Sequence, residues 1–278
     1  MKPIRPRTLV ALASALLAAA LPVSGPYAWA GGGPTSMIRT VTQEPGHPLL
    51  LYPGKEGTAA AVCPQGTKPT GGGAKVGNDS LAAVFFKESA PNLVRNSWQV
   101  RVYNSTNEVQ TVHPRAVCST DSTITYDVGR DSSIQPGDFN SASAGCDYPR
   151  YAVGGGVQAG PRSFVVWSGS ANIRAWTVAA KYTDYSPEAP DSYVRALAVC
   201  SDSEPSFKTV KVILAAGEVG TAHAECPAGQ VPVGGGGLGG LDVLLTTTIP
   251  TDTGWTARAK NRSSDQRALF ADVLCTTP

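Results

Sequence analysis

The stretch Cys63-Pro-Gln-Gly-Thr-Lys-Pro-Thr-Gly71-Gly-Gly occurs three times in related form. Its counterparts are Cys146-Asp-Tyr-Pro-Arg-Tyr-Ala-Val-Gly154-Gly-Gly and Cys226-Pro-Ala-Gly-Gln-Val-Pro-Val-Gly234-Gly-Gly. In each copy a run of glycines begins eight residues after the cysteine, and a tryptophan and a second cysteine follow. These are Trp98 and Cys118, Trp176 and Cys200, and Trp255 and Cys275. Such self-similarity predicts three equivalent structural units.

The residues around this stretch predict strands. Trp98, Val100 and Val102 alternate with polar residues, and the segments after Trp176 and Trp255 do the same. Apolar residues at every second position are typical of a half-buried strand. A turn residue (Gly54, Gly137 or Gly217) separates an earlier apolar segment from the strand before each leading cysteine, so each repeat should open with a hairpin. We expect about four strands per repeat and an all-β fold.

The glycine runs allow two interpretations. A phosphate-cradling loop would need a following helix and usually a Lys-Ser/Thr pair, and the residues after Gly73, Gly156 and Gly236 show neither. In strands, glycines mark bulges, sharp bends or close backbone approach. We therefore predict that each run is a scaffold element, a bend between two strands. Specificity is expected in the stretches where the copies differ, which are 75–96, 157–174 and 237–254.

The six cysteines are even in number and fall two to a repeat, which predicts disulfides. The repeat favours Cys63–Cys118, Cys146–Cys200 and Cys226–Cys275, with a link between repeats such as Cys118–Cys146 as the alternative. No Cys-x-x-Cys pair is present, so we expect no zinc site, and no cofactor is expected.

The repeats are assigned to 45–120, 121–202 and 203–278, after a flexible lead-in at 31–44. Three four-stranded units with almost no linker between them favour a pseudo-threefold, β-prism-like assembly. Three small β-sandwiches in tandem are the alternative. Either arrangement is all-β.

The first thirty residues resemble a secretory signal. A basic start, an apolar run over 8–23 and Ala28-Trp29-Ala30 predict cleavage after Ala30 and a secreted, extracellular protein. The run is too short for a membrane span. The signal holds three of the 23 Lys and Arg residues and none of the 21 Asp and Glu residues, which leaves 20 against 21 and a net charge of −1. That balance argues against nucleic acid as a partner.

These repeats resemble a pattern of secreted actinobacterial proteins, with Cys-Pro-x-Gly, Gly-Gly-Gly, Gly-Trp and a closing Ala-x-Cys. The third repeat matches in Cys226-Pro-Ala-Gly229 and Gly254-Trp255 but has Val273 where the closing alanine is expected. The resemblance spans nearly the whole mature chain and carries no catalytic motif. The threefold, disulfide-bearing repeats are also similar to proteins of the vitelline membrane outer layer type, which implies a β-prism.

Two functional classes follow. The first is a non-enzymatic protein that binds an extracellular, cell-envelope or glycan surface through exposed aromatic residues. Its candidate ligand-binding residues are Tyr103, Tyr148, Tyr151, Trp167, Tyr182 and Tyr185. The second is a secreted, glycosidase-like hydrolase, which needs two carboxylates at a suitable spacing. Its loop carboxylates would come from Asp79, Asp121, Asp147, Asp184, Asp191 and Asp252. His47, His113 and His223 occupy non-equivalent places in the repeats and are expected at the solvated surface, so no catalytic residue is assigned.

Overall fold

The computed structural model describes residues 40–43, 48–77, 82–183 and 191–278. These residues form strands, turns and loops but no helix, so the predicted all-β class is confirmed. The predicted signal peptide lies outside the described residues.

The strands follow the repeats in chain order. Repeat 1 contains β2 (Leu49–Leu51), β3 (Glu56–Val62), β4 (Lys68–Gly77), β5 (Val84–Asn92), β6 (Ser97–Asn104) and β7 (Gln110–Ser119), preceded by β1 (Thr40–Gln43). Repeat 2 contains β8 (Thr125–Val128), β9 (Ser132–Ile134), β10 (Phe139–Gly145), β11 (Tyr151–Ala159), β12 (Ser163–Asn172), β13 (Ala175–Tyr182) and β14 (Ser192–Ser201). Repeat 3 contains β15 (Ser206–Leu214), β16 (Val219–Glu225), β17 (Val231–Gly239), β18 (Val243–Pro250), β19 (Gly254–Asn261) and β20 (Arg267–Thr276).

Each of the three antiparallel sheets combines strands of two repeats. Sheet I has the order β1-β7-β4-β18-β19-β16, with β2 also on β7. Sheet II has the order β3-β6-β5-β11-β14-β8, with β9 also on β14, and sheet III has the order β10-β13-β12-β17-β20-β15. Every repeat thus gives one half to one sheet and its other half to the next. This exchange excludes three separate tandem sandwiches, because every sheet contains strands from two repeats.

The same topology corrects two expectations. The predicted opening hairpins do not pair: β2 joins sheet I and β3 joins sheet II, although the turn between them contains Gly54 at φ +67°. The chain therefore turns a corner between sheets at this point. The predicted lead-in also contains structure, because β1 at Thr40–Gln43 pairs with β7.

One hydrophobic core joins all three sheets. Its largest members are Trp98, Trp176 and Trp255, each at most 1% exposed. Each indole N–H donates to a hydroxyl on the neighbouring strand of its own repeat, at 2.9 Å to Ser89 Oγ, 3.1 Å to Ser168 Oγ and 2.9 Å to Thr248 Oγ1. Because a buried indole N–H needs an acceptor, these hydroxyls fix the orientation of the rings. The tryptophans therefore lie on the buried face of the half-buried strands that the alternation predicts.

The glycine runs were predicted to be bends between two strands, and this prediction is wrong. Each run lies within a strand, β4, β11 or β17, directly after a shift in the register of pairing. In repeat 1 the three glycines have different neighbours. A Cβ on Gly71 would lie 3.0 Å from Gly234 Cα, and one on Gly72 would lie 2.3 Å from the Trp98 ring. A Cβ on Gly73 would lie 1.6 Å from the carbonyl oxygen of Thr248. The runs therefore let the repeats approach each other, let the tryptophan pack, and let the next repeat's strand join the sheet.

The predicted disulfides Cys63–Cys118, Cys146–Cys200 and Cys226–Cys275 are confirmed, with Cα–Cα distances of 5.7, 5.6 and 5.8 Å. The alternative link between repeats is therefore wrong. Three disulfides fit an extracellular or otherwise oxidising environment.

Candidate functional site

The aromatic residues predicted from the sequence do not form one site. Tyr103 is half-buried near the end of β6, whereas Tyr148 is 82% exposed at the other end of the molecule's long strands. Tyr151 lies close to Tyr148, since Arg174 packs over both rings at 5.6 and 4.5 Å. Arg174 lies next to the Asn172 end of β12, and Phe164 lies near the other end of that strand. The eight residue steps from Phe164 to Asn172 correspond to about 27 Å of strand, so Tyr148 and Tyr151 lie far from Tyr103.

Tyr182 is a correction, because its side chain is fully buried. It ends β13 where Asn104 ends β6 and Asn261 ends β19, and the two asparagines bind carbonyl groups of the adjoining turns. The tyrosine thus occupies a structural position that cannot face a ligand. Tyr185 lies outside the described residues.

Each repeat has a central hairpin, which is β5–β6 in repeat 1, β12–β13 in repeat 2 and β18–β19 in repeat 3. The open ends of these hairpins, opposite their connecting turns, lie together and form a surface that we call the axial mouth. One backbone hydrogen bond marks the same level in each hairpin: Ser105 N to Ala83 O at 2.9 Å, Thr183 N to Arg162 O at 3.3 Å, and Arg262 N to Asp242 O at 2.8 Å. Residues of all six of these positions line two adjoining cavities. The three repeats therefore meet at the mouth with equivalent backbone but different side chains.

The larger cavity is an open cleft of about 820 Å³, within the size range of small-molecule sites. Repeat 1 lines it with Glu56, Ala83, Phe85, Lys87, Tyr103 and Ser105. Repeat 2 contributes Arg162, Phe164 and Thr183, and repeat 3 contributes Lys260 and Arg262. The cleft draws on all three repeats, so the repeats taken separately do not contain it.

The floor of the cleft is aromatic. Phe85 and Phe164 meet edge to face with ring centroids 5.6 Å apart, and Tyr103 lies 5.8 Å from Phe164. Phe85 and Leu244 are buried in a small hydrophobic cluster against which Phe164 packs. The rings are therefore held by contacts below them, while Phe164 and Tyr103 stay half-exposed. Packing of this kind fixes an aromatic surface before a ligand arrives.

Repeat 1 also brings an internal ion pair to the cleft. The ammonium group of Lys87, a residue 2% exposed, contacts the Glu56 carboxylate and lies 5.8 Å from the Phe164 ring centroid. Arg101 lies 3.5 Å from both Glu56 and Glu88. A buried ammonium group needs a compensating charge, and Glu56 supplies it for Lys87. The contacts with Lys87 and Arg101 in turn hold the Glu56 carboxylate in place.

The smaller cavity has about 140 Å³ and shares Thr183 and Arg262 with the cleft. Lys181, Asp242 and Leu244 complete its lining. The position of Lys181 in repeat 2 corresponds to Lys260 in repeat 3 and to Tyr103 in repeat 1, each five residues after the tryptophan. At this level the mouth has an aromatic side chain from one repeat and a lysine from each of the other two.

Trp167 belongs to a different surface. Across sheet III it lies level with Leu238, Phe270 and Lys211, and the residues on either side of Phe270 point into the core. Trp167 is 36% exposed and points away from that core. The corresponding level of sheet II holds Glu88, Gln158, Arg101 and Arg195, and that of sheet I holds Lys75, His113 and Arg258. The three faces therefore differ, with apolar, mixed-charge and basic character.

The carboxylates considered for hydrolysis are scattered. Asp79 and Asp184 lie outside the described residues, and Asp121 is buried, where it accepts hydrogen bonds from Thr123 and Ser201. Asp147, Asp191 and Asp252 are exposed and do not line the cleft. Burial raises the pKa of Asp272 to about 6, but this residue lies in sheet III beside Thr209.

The described histidines are surface residues, as expected. His113 is exposed on β7. His223 on β16 is exposed as well, where its Nδ1 lies 2.9 Å from Thr256 Oγ1 and its Nε2 lies 3.5 Å from Glu225. His47 lies outside the described residues.

Sequence reasoning missed Phe85, Phe164, Lys260 and Arg262. The available signal was the alignment of the repeats on their tryptophans, which places Tyr103, Lys181 and Lys260 at one position and Ser105, Thr183 and Arg262 at another. The alignment could show that the residues at these positions differ between repeats, but it could not show that the positions lie close together in the folded protein.

Within the described ranges, no cluster of three or more His, Cys, Asp and Glu side chains is placed to hold a metal ion. The described part of the chain also has no helix of the length and apolarity that a membrane crossing requires. No protein-family model and no curated protein matches the chain.

Proposed function

We propose that the protein is a non-enzymatic, secreted binding protein whose axial mouth holds a glycan of a cell envelope or extracellular matrix. The observation that carries the proposal is the open cleft of about 820 Å³ with Tyr103 and Phe164 on its floor. Both rings are half-exposed and surrounded by charged and hydroxyl-bearing side chains.

This combination suits a sugar. A pyranose ring has an apolar face of C–H groups and a rim of hydroxyl groups, so it needs a flat apolar partner and several hydrogen-bonding groups close by. An aromatic ring supplies the first, and the phenol of Tyr103 adds a polar tip. Ser105, Thr183 and Arg262 supply donors around the rim of the same cleft.

The predicted export supports the location of this ligand. The disulfides fit an oxidising space, and the predicted signal peptide would carry the chain there. A stable scaffold with three disulfides and a site made of side chains from three repeats is what an extracellular binding module needs.

The test is retention of the mature chain, residues 31–278, on a panel of purified cell-wall and matrix polysaccharides, followed by titration calorimetry with the best one. Tyr103→Ala should weaken binding about two- to tenfold, since an aromatic contact contributes roughly 0.5–1.5 kcal/mol. Tyr148→Ala is the matched control because this exposed ring lies at the opposite end, and it should bind normally.

Failure to bind any polysaccharide would contradict the proposal, and a loss confined to Tyr148→Ala would move the site away from the mouth. Release of new reducing ends from a bound polysaccharide would favour the hydrolase class instead. Thermal unfolding of each variant would show whether a loss of binding reflects a loss of fold.

A further inference from the structure

The charge of the axial mouth indicates the chemical class of its ligand. Of the described residues that line the two cavities, five are cationic and two are carboxylates, a surplus of three positive charges. The cationic residues are Lys87, Arg162, Lys181, Lys260 and Arg262, and the carboxylates are Glu56 and Asp242. The mature chain, in contrast, has a net charge of −1 (20 Lys and Arg against 21 Asp and Glu). The lining of the mouth is thus more positive than the chain as a whole.

We propose that the axial mouth binds an anionic glycan, whose carboxylate, phosphate or sulfate groups are held by the basic wall of repeats 2 and 3. This inference rests on the proposed function and gives it a ligand class. The rings of Tyr103 from repeat 1 and Phe164 from repeat 2 would contact the sugar rings, and the basic side chains of repeats 2 and 3 would contact their acidic substituents.

The surplus charge does not come from repeat 1. Lys87 is buried and its charge is compensated by Glu56, which Arg101 also contacts at 3.5 Å. Setting aside this pair and also Arg162, which has interactions of its own, leaves Lys181, Lys260 and Arg262 against Asp242. The basic wall therefore consists of residues from repeats 2 and 3 alone.

Arg262 is the best-placed member of this wall because it lines both cavities. Its backbone N–H donates to Asp242 O at 2.8 Å, and its guanidinium carbon lies 5.9 Å from the Phe85 ring centroid. A guanidinium group that rests near an aromatic ring keeps its planar fork available for a bidentate oxyanion partner. Lys260, two residues earlier on β19, lines the same cleft.

The smaller cavity fits an acidic substituent. Its volume is about 140 Å³, many times the roughly 10–15 Å³ that a single water molecule requires. A carboxylate, phosphate or sulfate group can therefore enter it, where Lys181 and Arg262 supply two cations against the carboxylate of Asp242. The 820 Å³ cleft beside it has room for the sugar units that carry the group.

The experiment compares four forms of one polymer: neutral dextran, carboxymethyl dextran, dextran phosphate and dextran sulfate. Binding of the mature chain is measured by calorimetry at low and high salt. We expect the anionic forms to bind at least about tenfold more tightly than dextran at low salt, with the advantage falling as salt rises. The tightest of the three identifies the acidic group.

Lys260→Ala with Arg262→Ala should reduce binding of the anionic forms at least about tenfold, since both charge-assisted hydrogen bonds to the acidic group are lost. Lys208→Ala with Arg130→Ala removes the same charges at exposed positions that line neither cavity and should leave binding unchanged. Equal losses in both double variants would show non-specific attraction and overturn the site.

The two proposals fail differently. Equal affinity for neutral and anionic dextran, reduced by Tyr103→Ala but not by Lys260→Ala with Arg262→Ala, would overturn the anionic preference and leave glycan binding intact. Binding to none of the four polymers and to no polysaccharide of the wider panel would overturn both.

Discussion

Alanine at Gly73 tests whether the glycine runs join the repeats. The added Cβ would lie 1.6 Å from the carbonyl oxygen of Thr248, which belongs to the strand that repeat 3 adds to sheet I. The obstacle is backbone, so no rotamer change relieves it, and β18 must move away from β4. Overpacking of a core costs about 1–3 kcal/mol when side chains can adjust. We therefore expect a loss at the upper end of that range or above, at least about 3 kcal/mol.

Gly77→Ala is the matched control, because Gly77 lies in the same strand and its added Cβ has its nearest neighbours at an ordinary 3.5 Å. Both substitutions change the unfolded chain equally, and an unstrained Gly→Ala change tends to stabilise by about 0.4–1 kcal/mol. In thermal unfolding, Gly73→Ala should lower Tm by roughly 6–12 °C for a chain of this size. Gly77→Ala should leave it unchanged or raise it. Equal Tm values for the two variants would refute the claim that the glycine runs allow strands of different repeats to pair in one sheet.

Two further predictions concern stability. The pKa of Asp272 is raised by burial from 3.8 to about 6, so the folded state keeps a proton that the unfolded chain releases. The free energy of unfolding should therefore fall by about 3 kcal/mol as the pH rises from about 4 to above 6, and Asp272→Asn should remove that component in urea titrations at several pH values. Trp98→Phe should cost about 2 kcal/mol, because it removes the N–H donated to Ser89 and leaves a void. Adding Ser89→Ala to it should cost less than Ser89→Ala alone; strictly additive losses would contradict the coupling.

The exchange of half-repeats between sheets explains why three small repeats form one folded unit. We call the place where strands of two repeats pair within a sheet a seam. The seams are short, because β4 pairs with β18 at one residue pair and β11 pairs with β5 at two. Backbone pairing at the seams alone is therefore limited. The shared core and the close approach at the glycines carry the rest of the contact between repeats.

The axial mouth shows how a threefold scaffold can hold an asymmetric site. The backbone hydrogen bonds at the mouth are the same in all three repeats, whereas the side chains at one equivalent position are Tyr103, Lys181 and Lys260. One wall is aromatic and the other is basic as a result. Substitutions at these positions change the surface without changing the residues that hold the fold.

The sequence by itself determined the strand class and the three repeats, and it favoured the disulfide pairs that the structure contains. Period-two alternation around Trp98 reflects the geometry of a single strand, and the pairing of Cys63 with Cys118 follows from repetition. These features depend on residues close in sequence or on equivalence between copies, so one sequence was enough. The turn at Gly54 was predicted for the same reason, but the hairpin predicted for its flanking strands was wrong.

Only the tertiary structure decided which repeats share a sheet and where a site can form. A glycine run predicts close approach, yet only the structure shows that the atom approaching Gly73 belongs to Thr248, 175 positions later in the chain (248−73). Tyr182 and Tyr103 looked alike as aromatic residues, but one is buried at a strand end and the other faces the cleft. Sequence patterns report the face of a strand on which a residue lies. The convergence of Phe85, Phe164 and Arg262 depends instead on how three strands meet around an axis, and such long-range packing leaves no local period to read.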